Sequence, residues 1–132
     1  MGVAYKLECD SCRYESNMFV GIGFAYCSLE SIASFVEDAE LKQRMLTFMK
    51  DSSTQYNAYD AVYVCPQCGG LQNELYIEMS SDSAQYKHTY NCKRCGTAMH
   101  EIQIEHNGPV DVVGCPDCRD GKLTATFYMD WD

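Results

Sequence analysis

Three observations predict a small α+β protein that folds around metal. Cysteines pair as Cys9/Cys12, Cys65/Cys68, Cys92/Cys95 and Cys115/Cys118, each with a two-residue gap, and only Cys27 stands outside this pattern. One stretch, between the first and second pairs, repeats its apolar residues at helical spacing. The rest consists of short alternating segments bounded by turn residues, the pattern of half-buried strands. The fold class they imply is a small metal-stabilised α+β protein. Its β-hairpins carry cysteine knuckles that form two four-cysteine sites, and one helical segment is inserted.

Size argues the same way. A chain of 132 residues cut into segments by four knuckles builds only thin apolar cores, and metal is the usual supplement. Structural zinc contributes about 10–16 kcal/mol to small modules, as much as the whole stability of many domains. The metal-free chain is therefore expected to be largely unfolded.

Taken in order, residues 4–8 alternate and lead as a strand into Cys9-Asp-Ser-Cys12. Residues 18–26 are rich in β-branched and aromatic residues and hold Gly21 and Gly23, which predicts an extended segment with a bulge or close approach. Ser28 reads as a helix N-cap with Glu30 in the first turn. Leu29, Ile32, Ala33 and Val36, then Leu41, Met45, Phe48 and Met49, follow at helical spacing with a slip of phase at residues 37–40. One long helix and two helices meeting there, the second capped by Asp38, both fit. Their apolar stripe is expected in the core. Residues 51–57 are polar and form the best linker candidate. Beyond them strands are expected at residues 61–64, 73–79, 87–91, 99–106, 110–113 and 123–128, with turns at 80–83 and 107–109. Residues 1–70 would form an N-terminal half with the helical insertion at about 28–50. Residues 71–132 would form a C-terminal ribbon, packed with the first half as one compact unit.

A two-residue gap lets both sulfurs reach one ion across a tight turn whose N–H groups point at the thiolates. Pro66 and Pro116 fix two of the turns, and Gly69 and Gly96 permit the positive φ that such a turn requires. Cys9/Cys12 has neither aid, with Asp10 inside the pair and Arg13 after it. Tetrahedral sets of four thiolates favour zinc or iron. Two zinc ions are the expected cofactors, with iron in one or both sites as the alternative. The spacings of iron–sulfur clusters are absent.

Which pairs share an ion is left open by spacing. A ribbon joins two knuckles by a hairpin of about 15–20 residues, and the stretch from Cys95 to Cys115 has that length. This favours Cys92/Cys95 with Cys115/Cys118, and Cys9/Cys12 with Cys65/Cys68. A nested arrangement and a crossed one are the rivals. The nested one joins Cys65/Cys68 to Cys92/Cys95 and the two terminal pairs to each other.

The phrases Cys65-Pro-Gln-Cys-Gly, Cys92-Lys-Arg-Cys-Gly and Cys115-Pro-Asp-Cys resemble zinc ribbons of the rubredoxin-like kind over about half the chain. The opening Cys9-Asp-Ser-Cys-Arg-Tyr-Glu, the later Gly21-Ile-Gly-Phe and the closing Trp131-Asp132 are similar to small uncharacterised bacterial zinc-ribbon proteins. The resemblance implies a fold and a metal and is almost silent on function.

Eight paired cysteines would fill both sites and leave no open position for catalysis. His88, His100 and His106 belong to no knuckle, and no nucleophile motif occurs. Cys27 reads as a small buried apolar residue. The tyrosines in or beside strands read as sheet packing, and Trp131 as a ring folded back over a ribbon. The net charge is −9, with 10 Lys and Arg against 19 Asp and Glu. Such a chain is repelled by nucleic acid and anionic lipid and attracted to basic protein surfaces. No apolar leader and no stretch near about 18 apolar residues occur, so a cytoplasmic location with reduced thiols is expected. The reading is a non-catalytic zinc-binding interaction module or adaptor for a partner with a basic surface. Self-association is a further option. A nucleic-acid-associated ribbon is the alternative, and it needs a basic face built from Lys87, Lys93, Arg94 and Lys122. A redox-labile zinc–thiolate switch is the second alternative.

Overall fold

A computed structural model of the chain describes residues 2–104, 110 and 114–131. Among the described residues, seven strands and two α-helices make a small α+β structure that is mostly antiparallel sheet. The strands are β1 (Gly2–Cys9), β2 (Glu15–Gly21), β3 (Gln55–Val64), β4 (Leu71–Ser80), β5 (Gln85–Lys87), β6 (His100–Ile102) and β7 (Leu123–Trp131). They lie in the order β5-β4-β3-β2-β1-β7, with β6 also paired to β3. Three hairpins follow the chain: β1 with β2, β3 with β4, and β4 with β5. Three long-range pairings join β2 to β3, β6 to β3 and β7 to β1.

Alternation explains how β1 is used on both faces. Tyr5 and Leu7 point into a core shared with Met18, Val62, Val64, Leu123 and Ala125. Ala4 points the other way, between its cross-strand neighbours Phe19 and Met129, and is fully buried. Gly2 lies under the Trp131 ring, which would stand 2.3 Å from a Cβ at that position. The chain does not fold back there: Trp131 ends the extended strand β7, and its ring lies across the sheet over Gly2, with its centroid 6.2 Å from that of Phe19 in a T-shaped pair.

The phase slip in the apolar stripe is a real break. Helix α1 (Leu29–Phe35) stops because Val36 turns extended, and α2 (Ala39–Met49) starts afresh. Each helix has its own cap: Ser28 Oγ accepts from Ser31 N at 3.1 Å, and Asp38 Oδ1 from Leu41 N at 2.9 Å. Ile32, Ala33, Leu41, Met45 and Phe48 pack on Ala58, Ile77 and Met79 of the β3–β4 hairpin. The stripe is therefore core. On the opposite sheet face Tyr59 stacks on Tyr76 and Tyr63 meets Tyr90, so these rings pack on one another.

Several expectations change, among them the strand expected at 99–106, of which the described residues form strand only at His100–Ile102. The polar stretch after α2 is a stitched turn: Asp51 Oδ1 accepts from Ser53 N and Oγ, and Thr54 Oγ1 donates to the Phe48 carbonyl. From Gln55 the chain is already strand. Cys27 is exposed, because it follows a short 3-10 turn (Phe24–Tyr26) at the surface. The strand expected at 87–91 ends at Lys87. His106 and the turn at 107–109 lie outside the described residues, as does all of the strand expected at 110–113 except Val110. Among the described residues no helix is long and apolar enough to cross a membrane.

The β2–β3 junction is thin, with one register pair, Gly21 opposite Asp60. Asn73 of β4 reinforces it. Its side-chain amide accepts from Phe19 N at 2.7 Å and donates to the carbonyls of Phe19 at 2.8 Å and Ala61 at 2.9 Å. Asn73→Ala strips three backbone groups of their partner. It is expected to lose about 1–3 kcal/mol, read by denaturant unfolding of the metal-loaded chain. No loss would mean that water serves the junction equally well.

Candidate metal centres

The register of the sheet brings the cysteines together. Cys9 sits opposite Leu123, so pairing β7 with β1 carries the Cys115/Cys118 knuckle to the Cys9/Cys12 knuckle. His100 sits opposite Val64, so pairing β6 with β3 carries Cys92/Cys95 to Cys65/Cys68. The result is an outer group, Cys9, Cys12, Cys115 and Cys118, and an inner group, Cys65, Cys68, Cys92 and Cys95. The arrangement is nested, which corrects the sequential pairing that hairpin length favoured. Length failed because β6 leaves the Cys95–Cys115 stretch to pair with β3. Both groups share one plan. A hairpin carries one knuckle at its tip, and a third strand, arriving from the second knuckle, lies beside the hairpin's first strand.

In each group the four sulfurs lie within 4.8 Å of one another. The short contacts are Cys9–Cys118 at 3.6 Å, Cys12–Cys115 at 3.5 Å, Cys65–Cys95 at 3.4 Å and Cys68–Cys92 at 3.5 Å. A tetrahedron with metal–sulfur bonds of about 2.3 Å has edges of about 3.8 Å, so both groups fit one ion each. A disulfide needs about 2.0 Å, and all these cysteines are free. Two four-cysteine groups that could hold metal are thus in place, compatible with ribbon-like sites.

Backbone N–H groups serve every knuckle. Ser11 N lies 3.3 Å from Cys9 Sγ, and Tyr14 N, Cys68 N, Arg94 N, Asp117 N and Gly121 N lie 3.4 Å from Cys12, Cys65, Cys92, Cys115 and Cys118. Positive φ follows the second cysteine at Gly69 (77°) and Gly96 (80°) as expected, and also at Arg119 (63°), which no sequence signal marked. The first knuckle lacks such a residue and is held by the fourth instead. Asp10 N donates to the Lys122 carbonyl at 3.1 Å, and Lys122 N donates back to Asp10 Oδ1 at 2.9 Å. The Lys122 N–H and the Ser11 hydroxyl hold the Asp10 carboxyl below the usual carboxylate range.

The thiols are unequal. Hydrogen bonds with the Thr97 hydroxyl and N–H draw Cys95 down to about 6. Burial opposes ionisation of Cys115, but the N–H groups of Cys118 and Asp117 prevail and bring it to about 7. The Tyr14 N–H favours a Cys12 thiolate, yet burial and the neighbouring sulfurs push it up to about 12. For Cys68 the Gly70 N–H favours the thiolate, but the Cys92 sulfur and burial push it up to about 11. Like charges cannot crowd without a counter-ion, so each group keeps protons that a divalent ion must displace.

The other candidate residues lie apart. His88 Nδ1 is 2.7 Å from the Tyr86 hydroxyl, His100 is exposed on β6, and neither belongs to a cysteine group. Of the cations a basic face would need, Arg94 is turned to Pro116 and Asp117, and Lys87 lies over the Tyr76 ring at 5.3 Å. Comparison of the chain with protein-family models, curated proteins and solved structures finds no match.

Gly121 is a second residue that sequence reasoning passed over. A Cβ there would stand 2.2 Å from Cys9 Sγ, whereas nothing lies within 4 Å of one at Gly96. Gly121→Ala should empty the outer group and leave the inner one loaded. Gly96→Ala should cost about 1–2 kcal/mol for its backbone conformation and keep the metal count. Elemental analysis of both variants decides, and a normal count in Gly121→Ala would show that the knuckles can move apart. Metal affinity should also fall as pH drops from 8 to 6, by about tenfold per pH unit for each displaced proton. Chelator competition at three pH values reads that slope, and a flat line would mean that the thiols enter already ionised.

Proposed function

We propose that the protein is a non-catalytic zinc-binding interaction module in which two zinc ions hold the fold and take no part in chemistry. The observation that carries this reading is the sulfur geometry: each group supplies four thiolates in tetrahedral reach. A full set of four protein ligands leaves no position for substrate or water, which is the difference between structural and catalytic zinc. Four soft sulfurs and no harder ligand favour zinc over magnesium or calcium, with single iron as the competitor. The chain's charge of −9 favours a partner with a basic surface.

A second reading draws on a different observation. Cys95 is exposed, and its sulfur is 3.4 Å from that of the buried Cys65. Hydrogen peroxide could take two electrons from these thiolates, leaving a disulfide and water and releasing the inner metal. Peroxide that frees no zinc before the chain aggregates would remove this reading.

The test of the main proposal is a metal count on freshly purified protein and on paired variants. Wild type should carry two zinc ions and show no visible colour. Cys9→Ser with Cys118→Ser should lose one ion, because both residues serve the outer group. Cys9→Ser with Cys65→Ser should lose both. If that last variant keeps one ion, the sequential pairing is right and the nested one wrong. A red iron–thiolate spectrum would replace zinc with iron. For the partner, an arginine-rich peptide should bind at low salt and be released as ionic strength rises. No binding at low salt would remove the basic-partner reading.

A further inference from the structure

The two cysteine groups lie near each other, and one side chain joins them. Arg94 lies inside the third knuckle, between Cys92 and Cys95. Its N–H is 3.4 Å from Cys92 Sγ in the inner group. Its guanidinium crosses to the fourth knuckle, where Nη1 donates to the Pro116 carbonyl at 2.9 Å and Nη2 lies 3.4 Å from Asp117 Oδ1. Asp117 N in turn is 3.4 Å from Cys115 Sγ in the outer group. A continuous path of covalent and hydrogen bonds therefore runs from an inner sulfur to an outer one through two residues. The stem of Arg94 passes Gly70, where a Cβ would stand 3.4 Å from Cys68 Sγ and Cys92 Sγ and 3.6 Å from Arg94 Cδ. A cavity of about 50 Å³ between the second and fourth knuckles is lined by Gln67, Cys68, Gly69, Gly114, Cys115 and Arg119. That leaves room for little more than a water or two.

We infer that Arg94 is a positioning residue that couples the two metal centres, so that loading either one favours loading the other. The inference rests on the reading that both groups bind metal. Its physical basis is shared ordering. A metal-free knuckle must be fixed in conformation before it can bind, and a neighbour that already holds the arginine at one end removes part of that cost. The main element is the bond to the Pro116 carbonyl. The carboxylate contact is half exposed on both sides and adds little by itself. Coupling is reciprocal, so stripping the inner ion must loosen the outer one by the same factor. A factor of about five- to tenfold is the scale expected for one such contact.

The experiment follows metal release from full-length, zinc-loaded protein during a chelator titration, with native mass spectrometry counting chains that hold two, one and no ions. In wild type the one-ion species should peak at about a quarter to a third of the chains for sites of equal affinity. In Arg94→Met that share should rise up to about twofold, toward half of the chains for sites of equal affinity, because the sites then empty separately. Arg94→Lys, which keeps the charge but not the fork, should resemble Arg94→Met. Asp117→Ala should lie close to wild type, since its carboxylate contact adds little, and Arg94→Lys reads the coupling should Arg94→Met fold poorly. A purely structural role for Arg94 would shift the midpoint of release without changing the share of one-ion chains. Equal one-ion populations in wild type and Arg94→Met overturn the coupling while leaving two bound ions. Fewer than two ions on the wild-type chain overturn the coupling together with the metal reading beneath it, and the initial count tells the two failures apart.

Discussion

Pairing of β7 with β1 joins the ends of the described chain and sets Cys12 beside Cys115, 103 positions apart in sequence. Everything between, including the helices and the whole inner cysteine group, is enclosed by that closure. Closing so long a loop costs chain entropy, which the β1–β7 ladder and any bound ion must offset. Four sulfurs around one ion would hold the closure directly, since a metal bound to the folded state alone adds its binding energy to folding. The inner group closes a shorter segment, from Cys65 to Cys95, 30 positions apart.

Packing is divided in the same way. One apolar cluster surrounds β1, β2 and β7 next to the outer group, and a second lies between the helices and the β3–β4 hairpin. A third, rich in tyrosine, adjoins the inner cysteines. Each is small, as the length of the chain requires. Strand β3 takes part in all three, through Val62 and Val64, then Ala58, then Ala61 and Tyr63. It is also the strand that β2, β4 and β6 all meet. The structure is thus organised around β3, while its ends are tied by cysteine.

The two groups share a plan but differ in surroundings. Cys95 in the inner group is exposed and leans on Thr97, whereas the outer group has no exposed sulfur and draws support from Asp10 and Lys122. The weaker turn chemistry of the first knuckle is compensated by a neighbour far away in sequence. Cys92 and Cys65 are buried against Tyr63 and Tyr76, which places apolar matter around part of the inner group. Exclusion of water from thiolates strengthens their attraction for a cation and limits access to it.

Much of this was legible in the residues. The two-residue gaps fixed all eight candidate ligands, Ser28 and Asp38 marked both helix starts, and alternation placed β1, β4 and β7, because each of these is a local rule of backbone geometry. Gly69 and Gly96 were readable for the same reason, while Arg119 took the same positive φ without a glycine to announce it. The roles of Asp10, Gly121, Arg94 and Asn73 were not legible, since each acts on a segment distant in sequence. Partnership between the cysteine pairs belongs to the same class. The sequence by itself determined that four half-sites exist, because a half-site is a turn of a few residues. Which halves meet was decided only by the tertiary structure, because strand register, and not the length of the intervening chain, sets which knuckles lie side by side.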